Sequence, residues 1–387
     1  MTDTTARIGV VGTGFIARGL VMTLDGRPDV TVSKVLTRTD PGKRQSFPGK
    51  ERLTRSVEDL IEHSDIVIEC SGDVVYATNV LDQVLRASLP VITMDAELQV
   101  TTGPYLATLG YITEAEGDQP GCLAALNEEV IQMGFRPLVY GNIKGYLNHT
   151  PSVDEMRYWA AKQGISLDKV TSFTDGTKVQ IEQVLVANGL GAGITQSGLT
   201  GVPADDVSSG AAILAAKATS LGYPISDFIL SPRSPAGVFI VAEHDERFRE
   251  YLRYYKMGDG PYYTLLRNYH LCNLEIIKTL KRVQNGGEVL LNNGLRPEIS
   301  VAAVAKRSFQ PGDRIPRGIG SFDTYGIAAR IRDFPDHIPI GLLSDAIVRK
   351  HIKPGTLISF DDVEIPETLA LDAWLGCAKL ECTVSPV

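Results

Sequence analysis

The sequence predicts an α/β fold with a doubly wound parallel sheet, and three observations support this prediction. A β-branched run over residues 6–11 enters a turn with two glycines and continues as a helical pattern. Strand and helix patterns then alternate up to Met94, which is typical of parallel strands joined by helices. The length of 387 residues exceeds the roughly 250–300 residues that one core holds, so we expect two or three domains.

The elements that carry this alternation follow the first glycine turn in order. Strands are predicted at Val30–Leu36, Ile66–Cys70 and Val91–Met94, and helices at Val57–Glu62 and Val74–Ala87. A helix over Cys122–Met133 then leads to a strand over Leu138–Ile143.

Composition and charge exclude several classes of function. The 38 basic and 46 acidic residues give a net charge of −8, which argues against a nucleic-acid or anionic-membrane partner. No apolar run reaches the ~18–20 residues of a membrane span, and the first residues carry no signal-peptide core, so we expect a cytoplasmic protein. The five scattered cysteines are expected to be buried thiols and indicate neither a disulfide framework nor a zinc cluster.

The first glycine turn resembles the dinucleotide fingerprint of a Rossmann domain. Gly12 permits a tight turn, Gly14 lets the backbone approach a pyrophosphate, and Ala17 is small enough for helix and strand to pack closely. The alternative is a Rossmann-like domain that binds no nucleotide. The residues expected to contact a cofactor here are Gly12, Thr13, Gly14, Phe15 and Ile16.

The end of the second strand indicates which nucleotide is bound. An NAD site usually has Asp or Glu at this point, whereas this chain has Thr37 and Arg38, which suit the 2′-phosphate of NADP. NADP(H) is therefore favoured, and Asp40 keeps an NAD(H) preference open. Ser71 and Gly72, after a later strand, are expected near the nicotinamide end of the cofactor.

Several segments together resemble a known family. Residues 69–72 and 91–97 look like homoserine dehydrogenases, and residues 116–120, 172–178 and 268–271 resemble the deoxyxylulose-5-phosphate reductoisomerase-like enzymes, homoserine-dehydrogenase-like oxidoreductases with a C-terminal SAF (β-clip) domain. Residues 304–313, 338–343 and 353–355 look like SAF segments. The resemblance implies a Rossmann domain over 1–120, an α+β catalytic and oligomerisation domain over 121–297, and a small all-β SAF-like domain over 298–387.

A helix after Ser172 carries the most informative polar residues. Asp175 is expected to cap its N-terminus, and Lys178 and Glu182, four residues apart, share one face. A lysine in the first turn opposes the helix dipole, so its ammonium is better tolerated if it meets a substrate or a carboxylate. The alternative is a surface Lys–Glu pair of little energetic weight.

The resemblance implies roles for these side chains in hydride transfer to a carbonyl. Lys178 would donate a proton to the developing alkoxide, and Lys144 would orient or polarise the substrate. Asp175 and Glu182 would tune the lysines or move protons. Lys144 also remains open as an ordinary surface lysine, since most lysines are exposed.

Other candidates are less specific. His149 and Thr177 are expected to bind substrate, and Arg267, with the serines of residues 231–234, could hold a phosphate. His270 is either a catalytic residue of the family motif or a capping or core histidine. Asp95 and Glu97 could hold a divalent metal or face the nucleotide, with Glu97 as a cofactor contact, and the metal stays undecided.

The leading hypothesis is an NAD(P)H-dependent oxidoreductase of a small polyhydroxylated carbonyl compound such as a sugar phosphate, with a reductoisomerase step implied by the resemblance. A simple homoserine-type or sugar-acid dehydrogenase without rearrangement is the alternative among enzymes. The alternative outside enzymes is a nucleotide-sensing module. A homo-oligomer is expected, with residues 369–380 as a candidate contact with a partner subunit.

Overall fold

A computed structural model describes residues 5–382, and side chains are described as far as residue 377. The chain forms two compact units. Of the described residues, the first contains 5–121, 271–296 and 367–382, and the second contains 122–270 and 297–366. This division differs from the expected three consecutive domains, because two late segments return to the first unit.

The sheet of the first unit confirms the doubly wound parallel fold. Its six parallel strands have the order β3-β2-β1-β4-β5-β6. The strands are β1 (Ala6–Val11), β2 (Val30–Leu36), β3 (Leu53–Thr54), β4 (Ile66–Glu69), β5 (Val91–Thr93) and β6 (Ile112–Glu114). Because β2 and β4 flank β1, the loops that follow these three strands lie side by side at one edge of the sheet.

Helices cover this sheet on both faces. They are α1 (Phe15–Leu24), α2 (Val57–Glu62), α3 (Val74–Arg86), α4 (Ala96–Leu109), α11 (Cys272–Gln284) and α12 (Leu369–Cys382). Ile276 and Leu280 of α11 are buried with Leu20 of α1 and the side chains of β1 and β2. This shared core explains why residues 271–296 join the first unit. The last helix, α12, packs on α3 and α4 of its own chain.

A five-stranded mixed sheet of order β11-β10-β7-β9-β8 forms the centre of the second unit. Its strands are β7 (Arg136–Lys144), β8 (Val202–Pro203), β9 (Ile225–Leu230), β10 (Gly237–Glu243) and β11 (Tyr262–Arg267). Strand β7 is parallel to β9, and both β7 and β11 are antiparallel to β10. The carboxyl ends of β7, β9 and β11 therefore lie at the same edge of the sheet.

One of the remaining helices, α8 (Thr177–Gly189), is buried along almost its whole length. The others are α5 (Gln119–Gln132), α6 (Val153–Gln163), α7 (Leu167–Thr174), α9 (Val207–Leu221) and α10 (Arg249–Tyr254). In α8, Val179, Ile181 and Val184 are fully buried, as their apolar pattern predicts.

Two small antiparallel sheets complete the second unit. They contain β12 (Ile299–Ala305) with β14 (Thr324–Arg330), and β13 (Arg314–Arg317) with β15 (Ser344–Val348) and β16 (Val363–Glu364). Both β12 and β14 pack on α8, which is why these strands belong to the second unit and do not separate as a third. Their β-rich character agrees with the sequence, and their assignment as a SAF domain stays a prediction.

Two further sequence expectations concern membranes and cysteines. Within the described residues, no helix has the length and apolar character needed to cross a membrane. Cys122 is buried, and Cys70, Cys272 and Cys377 are half-buried, while the side chain of Cys382 lies outside the described residues.

Candidate functional site

The glycine turn after β1 has the geometry that a bound pyrophosphate requires. Gly12 has a φ of +111°, and a Cβ there would come within 2.9 Å of the Cys70 carbonyl oxygen, so only glycine fits. A Cβ at Gly14 would meet no atom within 4 Å. Gly14 caps α1 without a side-chain hydrogen bond, and the first turn has no acidic residue. The amides of Phe15 and Ile16 therefore begin a helix whose N-terminus suits an anion.

The two candidates for the 2′-phosphate at the end of β2 differ in accessibility. Thr37 is 4% exposed, and its hydroxyl accepts a hydrogen bond from the Thr39 amide at 3.2 Å. The side chain of Arg38 is 60% exposed, and its guanidinium donates to the Asp73 carboxylate at 2.7 Å. Arg38 is thus the side chain that can meet a phosphate, and Thr37 shapes the turn.

A buried carboxylate that sequence reasoning missed supports the loop after β4. Glu69 is fully buried, and its Oε1 accepts from both the amide and the hydroxyl of Ser71, each at 2.6 Å. Its Oε2 accepts from the Thr93 hydroxyl at 2.9 Å. Burial raises the pKa of Glu69, and the negative charge of Glu97 acts in the same direction. An acidic residue at the end of an otherwise apolar strand was the available signal.

These bonds hold the loop expected near the nicotinamide. Gly72 has a φ of +67°, so the loop turns sharply directly after Ser71. Ser71 is bound to the end of β4 through both its backbone and its side chain. The predicted contacts Ser71 and Gly72 therefore lie on a segment that Glu69 holds through two hydrogen bonds.

The candidate metal ligands after β5 form a helix start. Asp95 caps α4 by accepting from the Leu98 amide at 3.3 Å and is nearly fully buried. Glu97 is half-buried in the first turn. Among the described residues, no group of three or more His, Cys, Asp or Glu is placed to hold a metal ion.

In the second unit, β7 and α8 bring together three of the polar side chains. The Glu182 carboxylate, 4% exposed, accepts from the Lys144 ammonium at 3.1 Å and from the Asn142 amide at 2.9 Å, both through Oε2. Lys144 is the last residue of β7, and its side chain is 20% exposed. Glu182 thus lies inside the protein and belongs to no surface Lys–Glu pair, so that alternative does not apply to it.

The start of α8 differs from the expected cap. Gly176, with a φ of +88°, is the N-cap, and Asp175 ends α7. Asp175 still accepts from the Thr177 amide at 2.8 Å, so it supports the first turn from one position further out. The reason is that α7 and α8 are joined by a single left-handed residue that only glycine adopts easily.

Asp175 is also part of a buried ion pair. Its carboxylate, fully buried, accepts from the Lys306 ammonium at 2.7 Å, and that ammonium, 4% exposed, also donates to the Ser321 carbonyl at 2.6 Å. Burial raises the pKa of Asp175, and the ammonium of Lys306 opposes this shift. Lys306 lies 131 positions further along the chain, and no local pattern points to it.

Neighbouring candidates share this environment. Thr177 is fully buried, and its hydroxyl accepts from the Gly326 amide of β14 at 2.9 Å. His149 Nδ1 lies 2.8 Å from the Asp175 carbonyl, and its ring lies 5.0 Å from that of Tyr325. Both residues thus hold α8 in place. Lys178 follows in the first turn of α8 and is half-buried.

The edge where β7, β9 and β11 end carries the proposed anion ligands. Lys144 pairs with Leu230 in the sheet, and the Ser231 amide donates to the Lys144 carbonyl at 2.8 Å. Arg267 ends β11, with its guanidinium 5.2 Å from the centre of the Tyr269 ring. His270 is half-buried and lies two residues before α11, whose N-cap is Leu271, so it is not the capping residue.

Comparisons with known proteins agree with the two-part organisation of the chain. Residues 12–116 match the family model of the homoserine dehydrogenase NAD binding domain, and residues 117–276 match that of the oxidoreductase DRL catalytic domain. The chain is 31% identical over 127 residues to homoserine dehydrogenase from Bacillus subtilis (strain 168), a match that covers 30% of this chain and 28% of that enzyme. The two models are those of an NAD binding domain and of an oxidoreductase catalytic domain. The chain matches less than a third of the length of the homoserine dehydrogenase.

The solved structures that match the chain share little sequence with it. A probable dehydrogenase from Thermotoga maritima is 15% identical with a TM-score of 0.44, over 74% of this chain and 91% of that chain. A myo-inositol dehydrogenase from Corynebacterium glutamicum ATCC 13032 is 11% identical with a TM-score of 0.42, over 74% and 90%. Neither likeness bears on the reaction.

Proposed function

We propose that the chain is an NADP(H)-dependent oxidoreductase that reduces the carbonyl group of a small, polyhydroxylated, anionic compound such as a sugar phosphate. The observation that carries the proposal is the glycine turn of the first unit. It combines an open face at Gly14 with an uncapped helix N-terminus, and the exposed Arg38 follows the adjacent strand. The similarity to an NAD binding domain over residues 12–116 supports a nicotinamide nucleotide as the ligand of this turn.

The residues of the first unit would bind the nucleotide in three places. The amides at the start of α1 would hold the pyrophosphate, and Arg38 would hold the 2′-phosphate through charge-assisted hydrogen bonds. The loop at Ser71 and Gly72 would position the nicotinamide. NADP(H), when bound, supplies or accepts the hydride.

The second unit would supply the proton. As a hydride reaches the carbonyl carbon, the carbonyl oxygen gains negative charge and needs a proton to become the alcohol. Lys178 is the proposed donor, and the reverse reaction would return the proton to it. Lys144 would attract and orient the substrate oxygens, and Glu182 would hold the ammonium of Lys144 in place through their hydrogen bond.

An anionic substrate fits the edge where Lys144, Ser231 and Arg267 lie. An ammonium, a hydroxyl-bearing turn and a guanidinium are the groups that bind phosphate or carboxylate oxygens. The resemblance to the deoxyxylulose-5-phosphate reductoisomerase-like enzymes favours a sugar phosphate among such anions and adds a carbon-skeleton rearrangement to the proposal.

The test is a screen of sugar phosphates and sugar acids for NADPH oxidation, or for NADP reduction in the reverse direction. With an active compound in hand, Lys178→Met should lower kcat by about 10²–10⁴-fold and leave NADPH binding unchanged. Lys162→Met, on the exposed face of α6, is the matched control and should change neither quantity. Full turnover by Lys178→Met would remove Lys178 from the mechanism, and no turnover with any compound would favour a nucleotide sensor.

The rearrangement has its own test. Carbon-labelled deoxyxylulose phosphate is incubated with NADPH and a divalent ion, with and without EDTA, and the product connectivity is read by NMR. A rearranged skeleton supports a reductoisomerase. Reduction with an intact skeleton would leave a simple dehydrogenase as the function.

A further inference from the structure

The exposed arginine of the nucleotide site already has an anionic partner. Arg38 follows β2 and Asp73 follows β4, and these strands flank β1 in the sheet. Their side chains meet in an ion pair of 2.7 Å, with Arg38 60% and Asp73 34% exposed. A ligand that approaches Arg38 from solvent therefore also approaches the Asp73 carboxylate.

Asp73 is fixed at this position by a second bond. Its Oδ1 caps α3 by accepting from the Tyr76 amide at 3.1 Å, while its Oδ2 accepts from Arg38. The guanidinium of Arg38 in turn lies 4.6 Å from the centre of the Tyr76 ring. Because a helix cap holds the carboxylate, Asp73 cannot swing away from Arg38 without leaving the start of α3 uncapped.

A phosphate bound to Arg38 would be repelled by the negative charge of Asp73. A guanidinium has five N–H donors, so Arg38 can bind a phosphate while it still pairs with Asp73. Two anions on one guanidinium then lie only a few ångströms apart and repel each other. A nucleotide without the 2′-phosphate does not meet this repulsion.

We propose that Asp73 is a specificity-determining residue that weakens NADPH binding relative to NADH and so keeps the preference created by Arg38 moderate. The inference rests on the proposed function, because it assumes that the first unit binds these nucleotides. It assigns to the loop after β4 a role in recognising the adenosine end of the cofactor, in addition to the contact with the nicotinamide proposed above.

Asp73→Asn is the direct test, because asparagine caps a helix as well as aspartate does, while it removes the charge and the second oxygen that accepts from Arg38. The dissociation constants of NADPH and NADH are measured by isothermal titration calorimetry for the wild type and the variant. We expect NADPH to bind about tenfold more tightly to Asp73→Asn, with NADH changed less than about twofold. The gain should shrink in 1 M salt, where the screening length falls to ~3 Å.

Asp82→Asn is the matched control for the change in net charge. Asp82 lies on the same helix and pairs with Arg86 at 3.1 Å, as Asp73 pairs with Arg38. This variant should leave both dissociation constants within about twofold, and circular dichroism should show the helical content unchanged in both variants.

The outcomes separate the two proposals. Tighter NADPH binding that is lost at high salt supports the role of Asp73. Unchanged or weaker NADPH binding by Asp73→Asn overturns it, since Asp73 would then only orient Arg38, while the nucleotide site itself stands. Failure of the wild type to bind either nucleotide overturns both the inference and the proposed function.

Discussion

The two candidate sites are built in opposite ways. In the first unit, the side chain proposed to meet the nucleotide is exposed, with Arg38 at 60%, and it follows directly after a strand. In the second unit, the polar groups are buried, with Glu182 at 4% and Lys306 at 4%, and they come from segments far apart in the chain. The first site consists of neighbouring loops at the end of a parallel sheet. The second site is a network of buried hydrogen bonds and ion pairs.

This difference predicts where each site is fragile. Changes at the nucleotide loops should alter binding while the fold survives, because water can hydrate the partner of an exposed side chain that has been removed. Changes in the buried network should alter stability first, because an unpaired charge in the interior is strongly unfavourable. The two tryptophans allow the units to be followed separately, since Trp374 lies in α12 and Trp159 in α6.

The largest effect is expected from Lys306→Met. This change leaves the Asp175 carboxylate buried without its ammonium and should reduce the free energy of unfolding of the second unit by about 3–5 kcal/mol. Urea denaturation followed through Trp159 in a Trp374→Phe background measures it. The double variant Lys306→Met/Asp175→Asn should recover part of the loss, and strictly additive losses would contradict the buried pair.

The exposed pair of Arg314 and Asp345 provides the control for this experiment. Its side chains are 62% and 54% exposed. Arg314→Met should therefore change the stability by less than about 1 kcal/mol.

The next largest effect is a difference in stability between the alanine variants of the two glycines in the turn. Gly12→Ala forces a side chain into a φ of +111° against the Cys70 carbonyl, and we expect a loss of about 1–3 kcal/mol in the first unit. Gly14→Ala meets open space and should cost less than about 1 kcal/mol, as expected for alanine at an N-cap. Calorimetric titration should nevertheless show that Gly14→Ala binds NADPH much more weakly. Unchanged affinity would place the pyrophosphate elsewhere.

A pH-dependent effect is expected from Glu69→Gln. Burial raises the pKa of this carboxyl, so the folded state holds its proton more tightly than the unfolded state does. Its contribution to stability therefore falls as the pH rises from the unfolded pKa, about 4.3, towards the raised folded value. The stability of Glu69→Gln relative to the wild type should rise over this window in thermal denaturation. A difference that is constant with pH would show that Glu69 does not titrate there.

The smallest effect is expected from Asp65→Asn. Its dependence on pH has the opposite sign to that of Glu69→Gln, because the pKa of Asp65 is lowered. The guanidinium of Arg7, 2.7 Å away, holds the pKa of Asp65 below its usual range. The stabilisation is present above the unfolded pKa and is lost as the pH falls through the folded pKa. The variant should thus be slightly less stable than the wild type at pH 7 and equal to it in acid, because the pair is exposed and weak. A larger loss in acid than at pH 7 would contradict this sign.

The sequence predicts the first unit well because its signals are local. The strand Val30–Leu36 and the helix Val57–Glu62 have the expected bounds, and the positions of Gly12 and Gly14 in the turn and of Arg38 after the second strand follow from spacing alone. Glu69 escapes such reasoning, since it lies inside the predicted strand and no local pattern shows which hydroxyl groups its carboxylate meets.

The second unit shows the limit of the same reasoning. Helical spacing pairs Lys178 with Glu182, but Glu182 accepts hydrogen bonds from side chains of β7. Asp175 pairs with a lysine 131 positions away. Such pairings depend on sheet register and on the packing of α8 against β14. Helical spacing contains no information about either.

One measurement tests the central claim most directly, namely that Arg38 after β2 reads the 2′-phosphate of a bound nucleotide. The dissociation constants of NADPH and NADH are determined by calorimetry for the wild type and for Arg38→Ala. We expect NADPH affinity to fall by about tenfold or more, with NADH affinity nearly unchanged. Equal losses for the two nucleotides, or no loss of NADPH affinity, would contradict the assignment.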